Sequence, residues 1–342
     1  MNLPQEFIQY TANLFGSQRW ERFEQSFVQE TAVSVRFNPW KAKGEALFPQ
    51  AEPVPWCEGA FWLKERPLFT RDPRFHAGVY YVQEAGSLFL DHVLRHWVTG
   101  PVSALDLCAA PGGKSTLMRA ALPAGSVLIS NEIDRRRANI LLENILKQGH
   151  PGVLVTHNAP KDFAKTNLLF DVILTDVPCS GEGLFRRDPA AISEWSAQNV
   201  YFCAERQRQI LRDIWPCLKD GGLLIYSTCT FNTHENEENV RWIAEELGAE
   251  LLAVPVRPEW QITESLLAGW NQPVYRFIPG TTRSEGLFMA VLRKKGGNRA
   301  FATLPASLRT QVKKYPLLHL LYDGQPAFEA KGREQIPSIA QA

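Results

Sequence analysis

Two cysteines stand directly after apolar segments of the chain, where a thiol can act as a nucleophile. Cys179 follows the apolar run of "DVILTDVPCSGEG", and Cys229 ends "GGLLIYSTC", 50 residues further along. Both runs have the composition of buried parallel strands, whose carboxyl ends border the ligand crevice of an open α/β sheet. We therefore expect the two thiols to lie at one site.

Such thiols suit a reaction in which the thiol adds to one carbon atom and thereby makes the neighbouring carbon nucleophilic. The C5 atom of a pyrimidine is an example. A thiolate adds to C6, C5 becomes electron-rich, and C5 attacks a sulfonium methyl group; a base then removes the C5 proton and the thiol is expelled. One cysteine can attack C6 while the other assists release of the product. Their positions in the sequence do not show which cysteine has which role.

A glycine-rich turn, "CAAPGGKST" at residues 108–116, follows another apolar strand. Its last part matches a Walker A loop, but Cys108 stands where the first glycine of that loop belongs. Glu132 ends the next predicted strand, 19 residues after Gly113, where a carboxylate can accept hydrogen bonds from both hydroxyls of a ribose. A Walker A site needs no ribose-binding acid, so the pattern favours S-adenosylmethionine over a nucleoside triphosphate.

The remaining four cysteines are expected to be small core residues. They are Cys57, Cys108, Cys203 and Cys217, of which the last two fall within a predicted helix. No two cysteines form a C-x-x-C pair, so we expect no zinc site or other metal site. Because the N-terminus shows no secretion signal, we expect free thiols rather than disulfides.

The composition is typical of an ordinary soluble protein. The 342 residues are 45% apolar and 21% charged, with a formal net charge of +1. Because no apolar run reaches the roughly 18 residues of a membrane span, we expect a cytoplasmic monomer without membrane contact. The net charge gives no support for nucleic-acid binding by bulk electrostatics, although short basic clusters occur at 135–137 and 186–187.

The predicted elements divide the chain into three parts. Residues 1–75 mix helix and strand patterns, and we expect a small α+β N-terminal domain that supports RNA binding. Residues 76–296 alternate strands and helices, which predicts a doubly wound α/β domain with a mainly parallel sheet. Residues 297–342 are expected to be an appendage with one helix and a strand, or the start of a longer RNA-binding region. The strand-like runs of the second part are VSALDLC, SVLISNE, GVLVTHN, FDVILTDVP, GGLLIYSTC and LFMAVLRKK.

Several motifs together resemble the RNA cytosine-C5 methyltransferases, most closely the RsmF-type rRNA branch of the Sun/RsmB group. They are LDLCAAPGGKST, DVILTDVPCSGEGLFRRDP, YSTCTFNTHENEENV and HAGVYYVQEAGS, with SVRFNPWK similar to the N-terminal Arg-Asn-Lys element of that family. The resemblance spans roughly residues 30–295. It implies a Rossmann-like fold of the S-adenosylmethionine-dependent methyltransferase class, with a mainly parallel sheet after the small α+β domain.

The resemblance also implies roles for individual residues. Cys229 would be the nucleophile, Cys179 would assist its release, and Asp176 would hydrogen-bond the base and favour addition at C6. The residues implied to bind the cofactor are Cys108, Ala109, Ala110, Pro111, Gly112, Gly113, Lys114, Glu132, Arg137, Asn158 and Asp176. Where this chain has Asn158 the family usually has an aspartate on the adenine side, and an amide can also hydrogen-bond adenine.

The implied function is methylation of cytosine C5 in RNA, with 16S rRNA or the small ribosomal subunit as the partner. The target nucleotide must be unpaired or flipped out, and we expect Arg186 and Arg187 to contact RNA phosphates. Three alternatives remain: a tRNA cytosine-C5 methyltransferase, a P-loop NTPase, and a non-catalytic RNA-binding protein of the same fold. Cys108 disfavours the NTPase, and Glu132 with Cys229 disfavours the non-catalytic protein.

Overall fold

The computed structural model describes residues 3–42, 47–296 and 318–322, which form two β-sheets with helices packed against them. The α-helices are α1 (Gln5–Phe15), α2 (Ser17–Ser26), α3 (Pro73–His76), α4 (Phe89–Trp97), α5 (Gly113–Ala121), α6 (Arg135–Gln148), α7 (Pro160–Ala164), α8 (Pro189–Glu194), α9 (Ala197–Ile214) and α10 (Glu237–Glu246). The strands are β1 (Val33–Phe37), β2 (Glu52–Pro53), β3 (Ala60–Leu63), β4 (Tyr80–Val82), β5 (Ser103–Asp106), β6 (Val127–Asn131), β7 (Val153–Thr156), β8 (Phe170–Asp176), β9 (Leu218–Thr228), β10 (Ala249–Leu252), β11 (Tyr275–Phe277), β12 (Leu287–Lys294) and β13 (Leu320–Tyr322).

The first sheet is small and antiparallel, with the strand order β2-β3-β1-β4. Strand β1 lies inside this sheet and is buried along its whole length, which agrees with its β-branched and aromatic composition. Val35 pairs with Phe61 of β3 on one side and with Val82 of β4 on the other. Since β4 belongs to this sheet, the N-terminal sheet extends beyond the domain boundary predicted at residue 75.

Helices α1 and α2 place phenylalanines against two loops of the larger sheet. The rings of Phe7 and Phe185 lie 5.0 Å apart, and those of Phe23 and Phe231 lie 5.1 Å apart. All four side chains are buried, and each such burial contributes about 1.5–3 kcal/mol. Phe185 and Phe231 belong to the segments that follow the two cysteine motifs, so the N-terminal helices pack directly against both of them.

The second sheet has nine strands in the order β10-β12-β9-β8-β5-β6-β7-β13, with β11 paired to β12. Its five central strands, from β9 to β7, are mutually parallel. The outer strands run antiparallel to their neighbours. Both faces of the sheet are buried, since neighbouring residues of β5 such as Ala104 and Leu105 belong to different core clusters. The predicted α/β fold with a mainly parallel sheet is confirmed.

The direction in which the chain crosses the large sheet changes between β5 and β8. From β5 the chain proceeds to β6 and β7, and after α7 it returns to β8 and continues to β9 on the other side. Ligands of open α/β sheets bind at the carboxyl ends of the strands beside such a switch point. Asp106 ends β5 and Asp176 ends β8, so both carboxyl groups lie at that place.

The six predicted strand runs all form strands, and β10 and β11 are additional strands that the sequence pattern does not predict. Helix α9 ends at Ile214, whereas the predicted helix continues through Cys217. That prediction was wrong because Pro216 has no N–H with which to continue the helix. Trp215–Cys217 instead forms a 3-10 turn, and Leu218 begins β9.

The C-terminal appendage contributes one described strand. Leu320–Tyr322 pairs antiparallel with β7 at the edge of the large sheet. The helix predicted for the appendage lies outside the described residues. Within the described ranges, no helix has both the length and the apolarity that crossing a bilayer requires.

Candidate active site

The two cysteine motifs meet at the carboxyl ends of β8 and β9. The sulfurs of Cys179 and Cys229 lie 3.2 Å apart. Backbone hydrogen bonds join the two loops: the Val177 N–H donates to Ser227 O (3.1 Å), and the Gly183 N–H donates to Cys229 O (2.8 Å). The pairing of two adjacent parallel strands therefore fixes both thiols at one point.

The Cys179 thiol retains its proton more strongly than an ordinary cysteine does. Its pKa is raised well above the usual value by the hydrogen bond with Cys229, then by burial and by negative charge on Cys229 and Glu235. A thiol in this state can donate a hydrogen bond but does not readily become a thiolate. One sulfur of the pair therefore stays protonated at neutral pH.

A lysine and an aspartate form an ion pair beside the sulfurs. Lys114 Nζ donates to Asp176 Oδ2 over 2.8 Å, and Ser227 Oγ donates to Asp176 Oδ1 over 2.5 Å. Burial disfavours the charged form of Lys114, but the Asp176 carboxylate outweighs burial and the Cys229 sulfur adds to its effect, so the pKa of Lys114 is raised. A stable positive charge therefore acts on the Cys229 sulfur.

The glycine-rich turn is tied to α6 through its backbone. Arg137 Nη2 donates to Ala110 O over 2.9 Å. Asn144 Nδ2, on the same helix, donates to Pro111 O over 2.8 Å. Gly112 has a φ of 113°, in the left-handed region that favours glycine, and a Cβ atom there would also crowd α6. The turn is therefore held in one conformation by contacts on its outer side.

A cleft of about 490 Å³ opens beside the two sulfurs. The predicted site residues that line it are Cys108, Ala110, Glu132, Arg137, Asp176, Cys179 and Cys229. The predicted site residues outside its lining are Ala109, Pro111, Gly112, Gly113, Lys114 and Asn158. Cys108 is partly exposed in the cleft, whereas Cys57, Cys203 and Cys217 are buried. The structure thus joins both thiols and two carboxylates in one cleft, while Pro111 and Gly112 support the turn from behind.

Three buried polar atoms near the cleft have no hydrogen-bond partner among the described residues. They are Asp106 Oδ1, Glu132 Oε2 and Asn158 Nδ2. The other oxygen of Glu132 accepts from the Asp134 N–H (3.0 Å), and Arg137 Nη1 lies 3.6 Å from Oε2, beyond hydrogen-bonding distance. Buried polar atoms are nearly always hydrogen-bonded in folded proteins, so each of these three can form a hydrogen bond with a bound ligand or a water molecule.

Asp106, which ends β5, has a raised pKa. Burial raises its pKa to about 7, the hydrogen bond from Ser115 Oγ (2.6 Å) opposes this shift, and the charge of Asp176 adds to it. A sizeable fraction of Asp106 is therefore protonated at neutral pH, which limits the negative charge at the switch point of the sheet.

Comparison with known proteins identifies the family. The family described as "16S rRNA methyltransferase RsmB/F" matches residues 100–293, and the "N-terminal domain of 16S rRNA methyltransferase RsmF" matches residues 3–85. The first match spans more than half of the 342 residues. The chain belongs to the RsmB/F family.

Curated relatives bear the name "Ribosomal RNA small subunit methyltransferase F". The relative from Pectobacterium atrosepticum is 33% identical over 313 residues, which cover 86% of this chain and 63% of that protein. The relative from Aliivibrio fischeri is 31% identical over 310 residues, which cover 87% of this chain and 64% of that protein. This RsmB/F member therefore spans less than two thirds of the length of these relatives.

Two solved structures from Pyrococcus horikoshii have a similar fold. A methyltransferase homologue is 25% identical, with a TM-score of 0.69 over 85% of this chain and 100% of that chain. NSun6, solved with SFG, is 20% identical, with a TM-score of 0.74 over 86% of this chain and 99% of that chain. These similarities confirm the Rossmann-like methyltransferase fold of the RsmB/F member.

In this RsmB/F member Arg186 is not part of an exposed RNA surface. Arg186 Nη1 donates to Glu285 Oε2 over 2.7 Å, and the two side chains are only 8% and 2% exposed. The same guanidinium donates to Ser26 O (3.0 Å) and Gln29 O (3.2 Å). The prediction that Arg186 contacts phosphates therefore finds no support in the structure, since each guanidinium nitrogen already donates to a protein acceptor. Arg187 is exposed and stays a predicted contact.

Two buried glutamates that the motif analysis does not single out connect the cysteine loops. Glu235 accepts from the Ser180 N–H (3.0 Å) and from Gln207 Nε2 (2.7 Å). Glu182 accepts from two backbone N–H groups of the loop after Cys229 (2.6 and 3.0 Å). Burial, together with the charge of Glu182, raises the pKa of Glu235 to about 7. In the sequence, each of these glutamates lies close to one of the two cysteines in a glycine-rich or polar loop. This position is the feature from which they could have been predicted.

The Arg-Asn-Lys element of the N-terminal domain contacts the helices that frame the glycine-rich turn. Arg36 Nη2 donates to Thr116 Oγ1 on α5 over 2.7 Å. Asn38 Nδ2 donates to Gln148 O at the end of α6 over 3.0 Å, and Lys41 Nζ donates to the preceding backbone oxygen over 2.5 Å. The element therefore positions α5 and α6 from within the N-terminal domain of this RsmB/F member.

Proposed function

We propose that this chain methylates C5 of cytosine in 16S rRNA with S-adenosylmethionine as the methyl donor. The single observation that supports this most is the 3.2 Å separation of the Cys179 and Cys229 sulfurs at the ends of adjacent strands. The reaction needs a nucleophile for C6 and a proton-transfer group beside it, and two thiols in contact can provide both. The family description and the names of the relatives support rRNA as the substrate class.

The cleft fits S-adenosylmethionine. Glu132 Oε2 is a buried acceptor without a described hydrogen-bond partner, as a ribose diol requires, and Asn158 Nδ2, outside the cleft lining, is a buried donor that suits a ring nitrogen of adenine. Ile133 is exposed and lines the same cleft, where it offers an apolar contact for the adenine ring. Bound there, S-adenosylmethionine supplies an electrophilic methyl group.

Cys229 is the nucleophile in this proposal. The positive charge of Lys114 stabilises a thiolate at Cys229. The thiolate adds to C6 of the cytosine and leaves C5 electron-rich. Asp176 lines the cleft at the end of β8 and hydrogen-bonds the base near N3 or N4, which favours the addition.

Cys179 completes the reaction by transferring protons. Its raised pKa keeps a proton on the sulfur that touches Cys229. Once C5 has been methylated, the C5 proton is removed and its C–H electron pair forms the C5–C6 double bond as the C6–S pair leaves with the Cys229 sulfur. In this elimination Cys179 gives its proton to the departing sulfur and takes up the C5 proton. The net proton from C5 is released to water when Cys229 ionises for the next cycle.

The test is the release of tritium from RNA labelled at C5 of cytosine. The chain is incubated with S-adenosylmethionine and 16S rRNA, intact small ribosomal subunits or tRNA. We expect release with 16S rRNA or subunits and none in the Cys229→Ala variant. Release with tRNA alone would identify a tRNA methyltransferase, and RNA binding without any release would identify a non-catalytic RNA-binding protein.

A further inference from the structure

One face of α9 continues the lining of the cleft out to the protein surface. Phe202, Arg206 and Ile210 follow each other at four-residue spacing and so lie along one face of the helix. Arg206 and Ile210 line the cleft beside the two sulfurs. Phe202 is one turn further toward the helix N-terminus on the same face, just beyond the residues that line the cleft. We call these three residues the α9 stripe.

Phe202 is an exposed aromatic residue without an aromatic partner. Its side chain is 64% exposed, and its ring contacts no other aromatic ring among the described residues. The neighbouring Tyr201 differs, because its ring packs against His234 at 4.7 Å. Two further exposed apolar side chains, Ile133 and Leu184, line the cleft. Exposed apolar groups gathered around one opening indicate a binding surface, whereas single scattered ones do not.

Two positively charged side chains, one on α9 and one just before α8, are available for contacts. Arg206 and Arg187 are exposed, and neither side chain forms a hydrogen bond or an ion pair with a described residue. Their neighbours of opposite sign are engaged elsewhere: Glu205 pairs with Arg208 (2.9 Å), and Asp188 caps α8. An aromatic ring next to unpaired arginines is the combination that binds unpaired nucleic-acid strands, through base stacking and phosphate contacts.

We infer that the α9 stripe binds the unpaired RNA next to the target nucleotide, with Phe202 stacked on a neighbouring base. This inference rests on the proposed function, which requires the target cytosine to leave its stack to reach Cys229. Removal of that base exposes the face of the base beside it. Phe202 takes the place of the removed base on that face, and Arg206 binds the phosphate between them.

The experiment compares substitutions of Phe202 in the full chain. The probe is a short single-stranded oligoribonucleotide that contains one cytosine, and binding is measured by fluorescence anisotropy without a methyl donor. We expect Phe202→Ala and Phe202→Leu to weaken binding by about 5- to 150-fold, and Phe202→Trp to bind at least as tightly as the wild type. Leu169→Ala is the control, because Leu169 is 49% exposed and precedes β8 at the opposite end of the strand from the cysteines.

A second pair of variants tests the phosphate contact. Arg206→Ala should lower the slope of log affinity against log salt by about one charge. Arg241→Ala should leave that slope unchanged, because Arg241 is exposed on α10 and does not line the cleft.

The outcomes separate the inference from the proposed function. If the wild type releases tritium but Phe202→Ala binds RNA as the wild type does, the α9 stripe is not an RNA surface and the inference fails alone. If Phe202→Leu binds as the wild type does while Phe202→Ala does not, the contact is merely apolar and stacking is wrong. If the Phe202 series behaves as expected while the wild type releases no tritium, the RNA surface stands and the methylation proposal fails.

Discussion

The sulfur of Cys179 lies 3.2 Å from the sulfur of Cys229, although 50 residues separate them in the chain. The contact follows from the register of the sheet, since Asp176 at the end of β8 pairs with Ser227 near the end of β9. Because the two strands are parallel and end at the same level, the residues that follow them lie close together. At this distance a proton can pass directly between the two sulfurs.

This geometry predicts opposite behaviour of the two single cysteine variants. Cys229→Ala should form no covalent RNA adduct, because it lacks the nucleophile. Cys179→Ala should still attack and methylate, but it should release the RNA slowly because the proton donor at the leaving sulfur is gone. On a denaturing gel, Cys179→Ala should show a slow band that nuclease removes, and the double variant should show none.

Cys203→Ala is a suitable control for the adduct experiment, because Cys203 is a buried thiol within α9 and does not line the cleft. It should behave as the wild type does. An adduct that persists in Cys229→Ala and disappears in Cys179→Ala would reverse the two roles.

Glu132 should determine cofactor affinity without any metal ion. Its Oε2 atom has no described hydrogen-bond partner, and Oε1 is held by the Asp134 N–H. We expect Glu132→Ala to weaken S-adenosylmethionine binding by about 1.5–3 kcal/mol, since hydrogen bonds to a charged group are lost. Calorimetry in the absence of magnesium measures this change, with Glu143→Ala, an exposed position on α6, as the control. Tight magnesium-dependent binding of ATP would contradict the assignment of the cleft.

The large sheet and the paired cysteines could be predicted from the sequence because both depend on local patterns. Each central strand contains an apolar run, and each of the two cysteines comes shortly after such a run. The partners of Arg186 and Ser180 could not be predicted in this way. Arg186 pairs with Glu285, 99 residues away, and Ser180 donates to Glu235, 55 residues away. No local pattern distinguishes an arginine that meets a buried carboxylate across the fold from one that faces solvent.

The buried Asp106 should make the free energy of unfolding depend on pH. Its pKa is about 7 in the folded chain, against about 3.9 for an unfolded aspartate. Between these values the folded state binds more protons than the unfolded state, so the contribution of Asp106 to stability is complete below about pH 4 and is lost as the pH rises to about 7. Asp106→Asn removes this dependence and keeps an acceptor for Ser115.

Urea unfolding at several pH values between about 4 and 8 measures this difference. The free energy of unfolding should fall less with rising pH in Asp106→Asn than in the wild type. Asp220→Asn is the control, since Asp220 is 65% exposed, and it should follow the wild type. Parallel pH profiles for Asp106→Asn and the wild type would show that Asp106 is already ionised at low pH.

Glu235 should be required for stability because of the groups that donate to it. Ser180 donates through its N–H and its hydroxyl, and Gln207 and Asn232 donate through their side-chain amides. In Glu235→Gln one acceptor oxygen becomes an amide that faces other donors, which leaves buried donors unpaired at a cost of about 1–3 kcal/mol each. Thermal unfolding should show a lowered Tm for Glu235→Gln and an unchanged Tm for Glu205→Gln, whose side chain is 66% exposed.

Arg186 and Arg187 are adjacent in sequence and should respond to substitution in opposite ways. Arg186→Ala leaves the Glu285 carboxylate buried without its cation. Burial already raises the pKa of Glu285, and Arg186 opposes that shift. Removal of one partner of a buried ion pair costs about 3–5 kcal/mol, so the free energy of unfolding should fall by about that amount. Under conditions where Arg186→Ala remains folded, the salt dependence of its RNA binding should equal that of the wild type.

Arg187→Ala should show the converse result, because this side chain is exposed and forms no ion pair with a described residue. Its free energy of unfolding should stay within about 0.5 kcal/mol of the wild type. Its RNA affinity should depend less steeply on salt, with the slope lowered by about one charge. Urea unfolding and a salt titration of RNA binding on the same two preparations measure both quantities. A reduced salt slope in folded Arg186→Ala would show that RNA binding opens the Arg186–Glu285 pair and recruits the arginine to a phosphate.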